Sequence, residues 1–158
     1  VRILAVHWIQ RDTDAGGQLG RFLIQCKRLG QPGNQFLGDI ANVLQLFNRG
    51  QNHSEFVGPE ASDVSSARRH GVSPFIGTDL DAILRSRGVT TVVAVGVSLN
   101  VGILGLCIEA VNLGYRVVVP TDATVAVPPS YADAVLANTI SQLATLTDSA
   151  AIVGSWTP

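Results

Sequence analysis

The residues "GVSLNVG", 96–102, lie where an apolar β-strand pattern gives way to a helical one. In alternating strand–helix folds such a junction holds the reactive group. The first helical N–H groups have no backbone partner there, and the helix dipole favours negative charge. Yet Ser98, Leu99, Asn100, Val101 and Gly102 carry no thiol, imidazole or carboxylate. The turn is therefore a candidate for holding an anion and offers no strong nucleophile. Asn100 is a candidate helix cap and, second, a ligand contact, as are Ser98 and Val101.

Other residues could supply the missing charge. Arg68 and Arg69 are adjacent, and a guanidinium can clamp a carboxylate through two parallel hydrogen bonds, although it cannot share a proton. His7 and Trp8 end the first apolar run, where they would line a pocket or pack in a core. Glu60, Asp63 and Asp122 are possible proton donors, and equally solvated loop or turn residues. Cys26 and Cys107 stand in no zinc or disulfide pattern, and His7, His53 and His70 have no metal-ligand spacing, so no cofactor or metal is expected. Cys107 falls five residues after Gly102, about 140° round a helix and roughly 7.5 Å along it, too far to replace a thiol at 102.

The elements that must position these residues follow from hydrophobic pattern. "VRILAVHWI" (1–9) reads as a strand buried on both faces, and "TTVVAVGV" (90–97) and "YRVVVP" (115–120) read likewise. Residues 17–29 fit a short helix, "FLGDIANVLQLFN" a second, and "DVSSARR" a poor strand. "DLDAILRSRG" is amphipathic, with Thr78 as N-cap and Gly88 past its end. Residues 100–114 form an enclosed helix stopped by Gly114, 129–146 a long helix, and "AAIVG" (150–154) a last strand. Strand alternating with helix predicts one α/β domain over 1–158, an open, mostly parallel sheet with helices on both faces. Ligands of such sheets bind beyond the carboxyl ends of the strands. That rim collects "HWIQRD", "RRHGVSPF", "GVSLNVG" and "PTDAT".

Composition narrows the function. The chain has 158 residues, 46% of them hydrophobic, 15% charged, and a net charge of −1. Its pI is about 6.3 and its mean hydropathy +0.30. No basic field exists to attract nucleic acid or anionic lipid, and no run reaches the roughly 18 apolar residues of a membrane span. A cytoplasmic protein is the expectation. The low charge, with "LQLF" (44–47) and "VAVPPSYADAV" (125–135), predicts a homo-oligomer with an interface of at least roughly 1,000 Å².

Three motifs in order, "SPFIGTDLDAILRSRGV" (73–89), "VVAVGVSLNVGI" (92–103) and "EAVNLGYRVVVPTDA" (109–123), resemble the isochorismatase-like hydrolases, the family that includes nicotinamidases and other cysteine hydrolases. The resemblance implies the family's three-layer, Rossmann-like fold and a site made of an Asp, a Lys and a Cys. On this sequence the Cys slot falls on Gly102 and the Lys slot on Arg69, or Arg68 with a one-residue shift. The Asp slot falls nowhere, because residues 1–9 look like the family's second strand. The first strand, which would sit between 1–9 and 91–97, is then outside this chain, or another segment fills its place. The isochorismatases proper also carry glycine in the cysteine slot and protonate a vinyl ether instead of attacking an amide. The resemblance thus points to acid–base hydrolysis of a small, anionic, carboxylate-bearing substrate, or to a degenerate member that binds a small molecule or partner. It also implies a cis peptide at Val97–Ser98, with the N–H groups of Val101 and Gly102 facing the pocket.

Overall fold

The computed structural model describes residues 72–155 in full and residues 3–8 by their backbone. Five strands form one sheet. β1 is Ile3–Trp8, β2 Thr91–Val97, β3 Arg116–Pro120, β4 Thr124–Val125 and β5 Thr145–Thr147. The order is β1-β2-β3-β5, with β4 also on β2, and every pairing is parallel. All seven residues of β2 are buried. Val92 and Ala94 join the main core on one face, while Val93 and Val95, on the other, are buried as well. This is why the strand is a continuous apolar run and not an alternating one.

Four helices accompany these strands among the described residues: α1 Leu80–Ser86, α2 Leu104–Asn112, α3 Ala132–Asn138 and α4 Ser149–Gly154. α1 buries Leu80 and Leu84, four residues apart, and exposes Arg85 and Ser86. Full burial of each leucine stabilises the fold by about 1.5–3 kcal/mol. Thr78 acts just ahead of the helix, its Oγ1 accepting from the Leu80 N–H at 3.2 Å. α1 and α2 end in the same way. Gly88 (φ 65°) and Gly114 (φ 86°) adopt left-handed backbone. The N–H groups of Val89 and Tyr115 then return to the carbonyls of Leu84 and Ala110 at 3.0 and 2.8 Å. Only glycine takes that conformation without steric cost, so each glycine stops a helix and launches the chain toward a strand.

Three expectations are corrected. Residues 1–9 were expected one strand place away from 91–97, but β1 lies directly against β2, Ile3 opposite Thr91 and Trp8 opposite Gly96. β2 is central and apolar, and β1 supplies hydrogen-bond partners to an edge that would otherwise lose about 1–3 kcal/mol per buried unpaired group. The helix expected over 129–146 is broken. Residues 129–131 and 140–142 are 3₁₀ turns, α3 stops at Asn138, and 145–147 is the last strand. Here the side chains of Asn138, Ser141 and Gln142 donate to the carbonyls of Ala134, Ala137 and Asn138. These compete with the helical backbone bonds. Residues 150–154, expected as strand, belong to α4. Asp148 caps that helix, its Oδ1 accepting from the Ala151 N–H at 2.7 Å. The helices expected over 17–29 and 36–48 and the weak strand at "DVSSARR" lie outside the described residues.

Candidate active site

The site grows from the carboxyl end of β2. Gly96, paired with Trp8 of β1, has φ 116°, a conformation side chains resist. Val97–Ser98 is cis, as the resemblance implies. The next five residues, Leu99–Ile103, form a π-helical turn that passes into α2. The Ser98 carbonyl closes this turn, accepting from Ile103 N–H at 3.0 Å and, more weakly, from Val101 N–H at 3.4 Å. The expectation that the Val101 amide points freely into the pocket is therefore modified, for it turns partly inward. Gly102 is buried at the head of α2, while the Val101 side chain is exposed.

Asn100 does not cap the helix. The N-cap is Ser98, which makes no side-chain cap bond. The Asn100 amide instead grips a neighbouring loop. Its Nδ2 donates to the Val127 carbonyl at 2.9 Å, and its Oδ1 accepts from the Val127 N–H at 3.0 Å. The gripped segment begins with β4, whose Thr124 and Val125 pair with Gly96 and Val97. Two attachments thus hold residues 124–127 beside the turn. Sequence gave no sign of this clamp, because an asparagine at a helix start reads first as a cap.

A second anchor was also illegible. Ser73 donates its hydroxyl to Glu109, a residue of α2, and its Oγ accepts from the Phe75 N–H at 3.2 Å. Gly105, one turn before Glu109, faces this loop: a Cβ there would be in ordinary contact, 3.7 Å from Ser73 Cα and from Val72 Cγ1. The loop that follows Arg68 and Arg69 in sequence is thereby fixed along α2. Arg68 and Arg69 themselves lie outside the described residues, as do Glu60 and Asp63. For His7 and Trp8 the structure gives the backbone only, at the rim end of β1 opposite Val95 and Gly96.

The remaining chemistry is structural. Asp122, just after β3, accepts from the N–H and hydroxyl of Ser149 at 2.9 and 3.0 Å and so braces the start of α4. Cys107 is fully buried in the core, and burial pushes its thiol up to about 12, so it stays protonated and inert. Among the described residues no group of His, Cys, Asp and Glu could hold a metal ion, and no helix is long and apolar enough to cross a membrane.

Residues 21–151 match the isochorismatase domain family profile. The chain belongs to the isochorismatase family. An isochorismatase family protein of Bacillus subtilis strain 168, YwoC, is 39% identical over 67 residues, which is 42% of this chain and 35% of YwoC. The chain thus spans about a third of the length of that curated relative. An isochorismatase-like hydrolase from Alkaliphilus metalliredigens superposes with a TM-score of 0.62 at 25% identity, covering 68% of this chain and 58% of the other. An isochorismatase family protein from Desulfovibrio vulgaris shares the fold over 98% of both chains, with a TM-score of 0.67 and 20% identity. The isochorismatase-family sheet and its β2–α2 junction are thus the frame for the chemistry below.

Proposed function

We propose that this chain is an isochorismatase-family hydrolase that works without a cysteine nucleophile, by acid–base chemistry on a small carboxylate-bearing substrate such as a vinyl ether. The observation that supports it most is Gly102. The residue at the head of α2 has no side chain, and Cys107 is sealed in the core. A site of this kind has room for substrate where the cysteine hydrolases have sulfur. In such a reaction a carboxylic acid protonates the enol carbon. Water then adds to the resulting oxocarbenium carbon, and the hemiketal collapses to a ketone and an alcohol. Arg69 or Arg68 would hold the substrate carboxylate. Ser73 is docked beside Gly105, and the four residues back to Arg69 span at most about 13–14 Å when extended. Gly102 is one helical turn, about 4.5 Å, from Gly105, and the arginine's role is a proposal that its substitution would test. The substrate is a small anion, and neither nucleic acid nor membrane belongs to this reading. Homo-oligomerisation does, and the exposed Ile108, Val111 and Leu113 at the outer side of α2 and just past its end support it.

One observation favours a second reading. Asp122, the described carboxylate that follows β3 at the rim, is occupied by Ser149, which leaves it poorly placed as the acid. A degenerate member would bind the same anion without turnover. The test is incubation of the purified chain with a carboxylated vinyl ether and measurement of ketoacid release, with and without iodoacetamide. Release that survives alkylation supports the hydrolase. Benzoate binding without any release supports the binder. Hydrolysis of nicotinamide abolished by iodoacetamide would overturn both.

A further inference from the structure

The clamp between Asn100 and Val127 joins two loops that leave different strands. Asn100 belongs to the turn after β2, and Val127 follows β4 in the loop after β3. Each backbone polar group of Val127 is met by the complementary atom of one side chain, at 2.9 and 3.0 Å. A primary amide is the one side-chain type that can do this with a peptide, since it carries a donor and an acceptor side by side. Asparagine has the shorter of the two amide stems, so it holds the partner close to its own backbone. The clamp adjoins Val101 and Gly102, and the gripped segment is paired through β4 to Gly96 and Val97 on the other side. Residues 124–127 are consequently attached to both ends of the turn that forms the site.

We infer that Asn100 is a positioning residue. It fixes the 124–127 segment against the 98–102 turn, so that the wall and floor of the site keep one relative geometry. This rests on reading the rim as the ligand site, but its central contact can be measured without ligand. Val127 is exposed by 55%, so its N–H is not shielded by its own burial, and its protection from exchange should depend on the Asn100 carbonyl.

The test uses the whole chain and the variants Asn100→Ala and Asn100→Asp. Amide hydrogen exchange is followed by NMR at Val127, with Tyr115, bonded to Ala110 at 2.8 Å, as a remote reference. Asn100→Ala should raise exchange at Val127 by about tenfold, the loss of one hydrogen bond, and leave Tyr115 unchanged. Asn100→Asp keeps an acceptor for the Val127 N–H and loses the donor to its carbonyl, so it should retain most of the protection. Benzoate, titrated while the Val101 and Gly102 amide signals are watched, should bind more weakly to Asn100→Ala than to the native chain. A Val127 amide as fast in the native chain as in Asn100→Ala would overturn the inference, as would equal acceleration at Tyr115, which would mean general destabilisation. If benzoate fails to bind the native chain while Val127 behaves as expected, the ligand-site reading falls and the clamp stands as a purely conformational device.

Discussion

At the scale of single residues, the proposed function turns on Gly102 and Cys107. The first, at the head of α2, has no side chain, and the second, within the helix, carries a buried thiol. Cys107 sits in the packed face of α2, where the cost of burying a thiolate holds its thiol at about 12. A thiol at 102 would stand at the start of the same helix, where the dipole favours the anion. The substitution Gly102→Cys should therefore give a cysteine that iodoacetamide modifies at least about tenfold faster than Cys107, read by mass spectrometry of each peptide. It should bring no amidase activity, because a nucleophile without a base to take its proton is only one part of the machinery. Equal rates at the two sites would remove Gly102 from the accessible end of the helix. The legible part of the site was its gap: the absence of a thiol could be read from "SLNVG" alone. The partners of Asn100 and Glu109, 27 and 36 residues away from them, could not, since hydrogen bonds across that separation leave no local pattern.

Among the elements, the chain ends α1 and α2 with glycine and begins α4 with an acidic cap. Asp148 accepts from the Ala151 N–H, and Asp122 accepts from Ser149 in the first turn. Asp148→Ala should lower stability by about 1 kcal/mol, measured as a shift in the midpoint of urea unfolding with the slope unchanged. A midpoint that does not move would show that α4 holds by packing alone. α1 and the start of β3 are joined by a second polar cluster. The Tyr115 hydroxyl donates to Asp81 at 2.7 Å, and Arg85 Nε donates to the other carboxylate oxygen at 3.0 Å. The Arg85 guanidinium also lies over the Tyr115 ring at 5.3 Å. The Tyr115 hydrogen bond, foremost, holds the Asp81 carboxyl below its usual range against the opposing effect of burial, with further help from Arg85. Burial, then Asp81, pushes Tyr115 up from 10 to about 12. Because the folded value is the higher one, the tyrosine contributes stability below pH 10 that is lost as pH rises through about 12. Asp81 has the opposite sign. Its contribution is present above 3.8, the ordinary carboxyl value, and is lost as pH falls through its lowered one. Unfolding followed from pH 9 upward should show a shallower alkaline loss in Tyr115→Phe than in the native chain. Identical slopes would mean that Tyr115 titrates alike in both states.

For the whole molecule, the uneven exposure of α2 matters most. One side carries Leu106, Cys107 and Ala110 into the core, while Ile108 and Val111 stay 43% and 40% exposed. With only 15% charged residues in the chain, such a face is poorly protected from self-association. Light scattering at micromolar concentration should report a mass at least twice the 16.6 kDa of one chain, and Ile108→Lys should lower it. A native chain that stays monomeric would place this face elsewhere in the protein's economy of surfaces and remove the oligomer from the proposed function.

The sequence by itself determined the apolar strands at 90–97 and 115–120, the glycine stops after α1 and α2, and the membership of the family, because each is written in neighbouring residues as a run, a period or a turn. The tertiary structure decided what distant residues do to one another. The break in the helix after Asn138 and the exchange of strand for helix at 150–154 arose because the polar side chains of Asn138, Ser141 and Gln142 and an aspartate cap compete with backbone patterns that look locally helical or extended. The place of β1 was decided by the sheet, since a strand's neighbours are chosen by which unpaired edge must be filled and its own pattern is equally apolar in either position. Asn100, readable as a cap, became a clamp because folding brought a peptide within reach of its amide.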